Sequence, residues 1–105
     1  MSTSELSFLK GKKIHVIRRV HDYIQILFSG GDILNIYNDT KIELNNNIKI
    51  GDVIDADILS ISRMNEEEKL EITGVSIIIR MSDDAFHGPE AMSFIAKSGQ
   101  ITIFG

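Results

Sequence analysis

The stretch Tyr23-Ile-Gln-Ile-Leu-Phe-Ser-Gly-Gly-Asp-Ile-Leu-Asn-Ile36 decides the fold. Ile24, Ile26 and Phe28 fall on one face of an extended chain, and after Ser29-Gly-Gly-Asp32 the pair Leu34 and Ile36 resumes the alternation. Period-two alternation marks half-buried strands, and glycine supplies the positive φ that a tight turn demands. The reading is a β-hairpin with strands at about 22–28 and 32–37.

Working toward the N-terminus, a strand at about 13–20 carries Ile14 and Val16 on one face and Ile17 on the other, so a bulge or a two-sided environment is expected there. Residues 2–9 suit one helical turn around Leu6 and Leu9. Toward the C-terminus, Ile42 and Leu44 form a short strand that stops at Asn45-Asn-Asn47, with a second break at Ile50-Gly-Asp52. From Val53 to Met64 the apolar positions run Ile54, Ala56, Ile58, then Leu59 and Ile61, again a change of face within one strand. Asn65-Glu-Glu-Glu68 reads as a polar loop. Leu70 and Ile72, a Thr73-Gly74 turn, then Val75, Ile77, Ile79 and Met81 read as another hairpin. Ser82 to Pro89 is irregular, and Met92 with Phe94, then Ile101 with Ile103, make a closing hairpin around Ser98-Gly-Gln100.

The two halves echo each other: isoleucines three apart (Ile14 and Ile17; Ile58 and Ile61), a second apolar strand, a glycine turn and a third. Two three-stranded meanders packed face to face make an all-β domain, a small antiparallel β-sandwich or flattened barrel of about 8–9 short strands. Nineteen isoleucines and one proline support strands over helices, and the absence of crossover helices argues against a parallel α/β sheet.

The 105 residues, 43% hydrophobic and 25% charged, suit a single domain over 1–105. The absence of cysteine excludes disulfides and thiolate chemistry and fits a reducing, cytoplasmic setting. No apolar run approaches the ~18 residues of a membrane span, and residues 1–10 lack the basic-then-apolar order of a signal peptide. The net charge of −4 runs against polyanion binding, so nucleic acid is not an expected partner. Residues 1–50 carry seven Lys/Arg against five Asp/Glu, whereas residues 51–105 carry four against ten. That acidic second half would speed encounter with a basic protein.

Material for catalysis is sparse. His15, His21 and His87 are the histidines, with Asp22, Asp83 and Asp84 nearby in sequence, and none has metal-ligand spacing. Strand-surface or loop histidines are the simpler reading. There is no nucleophile elbow, phosphate loop or dinucleotide fingerprint, and Ser29-Gly-Gly31 lies between strands, not before a helix. Lys10, Lys12, Lys13, Arg18 and Arg19 cluster near the N-terminus but read as solvated strand ends. No catalytic residue, metal or cofactor is expected. The candidate contact residues are the acids Glu66, Glu67, Glu68, Asp83, Asp84 and Glu90, with Tyr23 and Tyr37, which are out of phase with their strands' apolar faces.

Leu9-Lys-Gly11 with Ile14, then Tyr23 to Phe28, Gly31 and Leu34-Asn-Ile-Tyr-Asn38, resembles the N-terminal meander of small bacterial all-β proteins. Ser82-Asp-Asp-Ala-Phe-His-Gly-Pro-Glu-Ala-Met92, with Gly99-Gln-Ile-Thr-Ile-Phe104, resembles their C-terminal segment. The likeness spans most of the chain outside about 39–68. Proteins of this appearance occur among immunity proteins of bacterial toxin systems, including contact-dependent growth inhibition. The resemblance implies a cytoplasmic, non-enzymatic protein that binds a cognate toxin domain one-to-one, typically a basic nuclease such as an RNase, and covers its active site. Two other readings suit the residues: a structural or regulatory β-domain that self-associates through a sheet edge, and a small hydrolase or isomerase using a histidine with a carboxylate.

Overall fold

The computed structural model describes residues 4–45, 47–80 and 92–104. After a single 3-10 turn, Ser7–Leu9, the described chain forms nine strands: β1 (Lys13–Val20), β2 (Tyr23–Phe28), β3 (Ile33–Ile36), β4 (Thr40–Leu44), β5 (Val53–Met64), β6 (Glu67–Ile72), β7 (Val75–Arg80), β8 (Met92–Ile95) and β9 (Ile101–Phe104). All pairings are antiparallel, in one sheet ordered β4-β7-β6-β5-β1-β2-β3-β8-β9. A flat sheet would be about 10 Å thick, but the smallest extent of the molecule is 28 Å, so the sheet curls back on itself. Its concave side encloses one core drawn from both halves, including Ile14, Ile26, Leu34, Ile58, Leu70 and Ile77.

Both expected meanders are present, β1-β2-β3 and β5-β6-β7, joined through the β1–β5 pair. Their likeness extends to register. One extra residue bulges from β1 against β2 between Ile14 and Val16, and one from β5 against β6 between Ile58 and Ser60, so His15 corresponds to Leu59. The following two-residue turns match as well, His21-Asp22 with Asn65-Glu66, and the first residue of each has positive φ, 54° and 55°. The fourth strand of each half joins the other half: β4 pairs with β7 and β8 with β3. That exchange locks the two meanders together. β9 is an addition beyond this duplicated plan.

The N-terminal turn closes one end of the core with Leu6 and Leu9, both fully buried. Such burial stabilises by about 1.5–3 kcal/mol per leucine relative to exposure. One expectation is corrected here. Asn65 to Glu68 is not a loop: Met64 pairs with Glu67 across a tight turn, and Glu67 and Glu68 already belong to β6.

Candidate functional site

Alternation along β2 and β3 sends Tyr23 and Tyr37 to the convex side of the first half, where their rings meet at 5.5 Å between centroids. Beside them a polar ladder crosses four strands. Arg18 Nε donates to Gln25 Oε1 at 2.8 Å, Gln25 Nε2 to Asn35 Oδ1 at 2.9 Å, and Asn35 Nδ2 to Ser93 Oγ at 3.4 Å. The Tyr37 hydroxyl shares a 2.8 Å hydrogen bond with Ser93 Oγ, which fixes the ring's direction.

Immediately after Tyr37 the chain leaves the first half for β4, and there it abuts the end of β7. Asn38 Nδ2 donates to the Arg80 carbonyl at 2.6 Å, and the Arg80 N–H donates to the Asp39 carbonyl at 3.0 Å. Arg80 in turn lies opposite Glu67, next to exposed Glu66 in the β5–β6 turn. A path of chain neighbours, hydrogen bonds to the backbone and strand pairing therefore links the two tyrosines through Asn38 and Arg80 to Glu67 and Glu66. Shallow depressions lined by Asn65, Glu66, Glu67 and Arg80, and by Asp39, Thr40, Lys41 and Ile78, mark this end of the surface.

Glu68 departs from the expected site. Opposite in phase to Glu67, it points into the core with no exposed surface, so it cannot meet a partner from there. Its Oε1 accepts a hydrogen bond from Ser4 Oγ, and Oε2 has no hydrogen-bond partner among the described residues. Asp83, Asp84 and Glu90 lie outside the described residues, as does His87.

His15 Nδ1 and Asp55 Oδ1 are 2.8 Å apart at the β1–β5 bulge, where Asp55 has φ 42°. The His15 hydrogen bond is the main cause that holds the Asp55 carboxyl below its usual range. Ser29 Oγ donates to the same carboxylate oxygen at 3.4 Å and not to the imidazole. The order of contacts is thus serine, aspartate, histidine, and the imidazole is not placed to take the serine proton. His21 supplies the positive φ of its turn, a backbone role that histidine tolerates better than most residues. Of the basic cluster, Lys12 is held by Asp32 at 2.9 Å and Arg18 by Gln25. Among the described residues no group of three or more His, Cys, Asp or Glu is gathered to hold a metal ion, and no helix is long and apolar enough to cross a membrane.

Sequence reading missed a second convex-side feature. Val53, Val16, Leu27, Ile33, Ile95 and Ile101 lie directly opposite one another across six strands, forming an aliphatic row on the side away from the core. The corresponding row of the second half is Ser60, Glu71, Ser76 and Glu43. The signal was present as near-continuous apolarity, Ile-Leu-Phe at 26–28 and Ile-Leu at 33–34, where strict alternation would put a polar residue. Comparison with family models, curated proteins and solved structures finds no match.

Proposed function

We propose that this protein is a non-enzymatic immunity protein that acts in the cytoplasm. It binds a cognate toxin domain, a basic nuclease, and covers its active site. The observation that supports this reading is the path of chain neighbours, backbone hydrogen bonds and strand pairing that links Tyr23 and Tyr37 to Glu67 and Glu66 through Asn38 and Arg80. Tyrosine rings held by a hydrogen-bonded strand ladder offer rigid, amphipathic contact area at low entropic cost. The exposed carboxylates of Glu66 and Glu67 at the other end of that path stand in for the substrate's phosphates in a basic cleft, and they steer encounter.

The test is co-expression with the C-terminal domain encoded by the adjacent upstream gene. Rescue of growth and a complex with one toxin domain per chain are expected. Tyr23→Ala and Tyr37→Ala should each weaken the complex about tenfold or more, on the scale of interface aromatic anchors. Glu66→Ala with Glu67→Ala should mainly slow association, and the difference from wild type should shrink as salt rises. Affinity untouched by all four changes would remove this site, and failure to form any complex would remove the reading.

A further inference from the structure

The two edges of the sheet are built differently. β4 presents Lys41 and Glu43, whose charges lie 3.7 Å apart, and charged side chains blunt an edge against further pairing. β9 reads Ile101-Thr-Ile-Phe104, with no charge, and among the described residues no strand pairs with its outer side. Ile101 and Ile103 are 60% and 55% exposed, whereas Val16, Leu27, Ile33 and Ile95 of the same row are half-buried and Val53 at its far end is exposed like Ile101.

Hydrogen bonding defines what that edge offers. The Ala96 N–H donates to the Gln100 carbonyl at 2.9 Å, and the register continues with Phe94 opposite Thr102 and Met92 opposite Phe104. Antiparallel ladders alternate, so the backbone groups of Gln100, Thr102 and Phe104 face β8, while those of Ile101 and Ile103 face outward. We infer that β9 pairs antiparallel with β9 of a second copy, Thr102 facing Thr102 across the two-fold and Ile101 facing Ile103. This register satisfies both outward N–H and both outward C=O groups of each copy. The four isoleucines then share the convex face, and the aliphatic rows of the two copies meet there, offset by two residues.

A second copy suits this edge for a further reason. The chain carries −4 overall, so like copies repel in general, yet no charged side chain lies on β9 to oppose their meeting there. A basic partner finds its complement at Glu66 and Glu67, not at this edge. On the concave side, a groove floored by Phe8, Phe94, Ala96 and Phe104 and rimmed by Glu5, Gln100 and Thr102 reaches the same seam. Phe8 packs edge-on against Phe94 and stacks on Phe104, which holds β9 flat against the body and ready to pair.

Sedimentation of the full chain should give a concentration-dependent dimer at twice the 11.8 kDa chain mass. Ile103→Lys should shift it to monomer with an unchanged circular dichroism spectrum. Because the chain has no cysteine, Thr102→Cys provides an independent readout of register. Facing positions of a non-hydrogen-bonded pair lie about 4.5 Å apart between Cα atoms, within disulfide reach, so mild oxidation should cross-link this variant as a dimer. Ile103→Cys should not cross-link to itself. A wild-type chain that stays monomeric at every concentration overturns the proposal. So does a dimer that survives Ile103→Lys while Thr102→Cys fails to cross-link, since its interface lies elsewhere.

Discussion

Glu68 occupies the position in β6 that Ile24 occupies in β2, and both side chains are buried. A carboxyl in a core is costly unless its oxygens are bonded, and here Ser4 Oγ serves Oε1 while Oε2 has no hydrogen-bond partner among the described residues. Ser4 Oγ also accepts the Leu6 N–H at 3.0 Å, so this one hydroxyl ties the N-terminal turn to the core carboxyl. Ser4→Ala should therefore destabilise by about 1–3 kcal/mol in urea unfolding, the cost of a buried polar group left without a partner. Adding Glu68→Leu should recover most of that loss, because the aliphatic replacement matches what the first half already uses. With Glu68→Leu also measured alone, a double-variant loss equal to the sum of the two single losses would show that the two side chains are not coupled. The run Glu66-Glu-Glu68 gave no sign of this split. Its three residues are chemically identical, and only the phase of β6 decides which one is submerged.

Hairpins and turns were legible because their signals are local. The Thr73-Gly74 turn, the switch of face at β5 and the leucines of the N-terminal turn each followed from a few neighbouring residues. At β1, by contrast, Ile14 and Val16, read as sharing a face, are separated by the bulge, and Ile17 joins Ile14 in the core. What ties hairpin to hairpin was not legible, and Asp32 is the main example. Its Oδ2 takes a 2.9 Å bond from Lys12 Nζ and its Oδ1 a 2.8 Å bond from the Lys97 N–H, so it joins the start of β1, the β2–β3 turn and the β8–β9 turn. The Lys12 hydrogen bond, then the Lys97 N–H, hold this carboxyl below its ordinary value of 3.8. A carboxyl with a lowered folded pKa contributes stability that is complete above its unfolded value and is lost as pH falls through the folded one. Asp32→Asn should thus lose about 1 kcal/mol at neutral pH. It should also show a flatter loss of stability than wild type below an ordinary carboxylate pKa. Parallel acid-unfolding curves would rule out this role for Asp32.

At the scale of the whole molecule, the duplicated plan is its own control. Leu27 and Ile33 of the first half correspond to Glu71 and Ser76 of the second, on the same convex face of the same scaffold. Leu27→Glu and Ile33→Ser should each cost less than about 1 kcal/mol, the range of surface changes, whereas Leu34→Ser on the concave side should cost about 2–5 kcal/mol. Urea midpoints decide it, and a loss at Leu27 as large as that at Leu34 would mean the row is part of the core. The sequence by itself determined the all-β class, about eight to nine short antiparallel strands, irregularities in the strands at 13–20 and 53–64 and the acidic second half, because alternation, turn chemistry and charge are properties of neighbouring residues. Only the tertiary structure decided that each half lends its fourth strand to the other, that Asn38 bonds the Arg80 end of β7, that Glu68 is buried, and that β9 ends the sheet among the described residues. Each of these depends on which strand lies beside which, and that is set by closing one core from two distant halves of the chain.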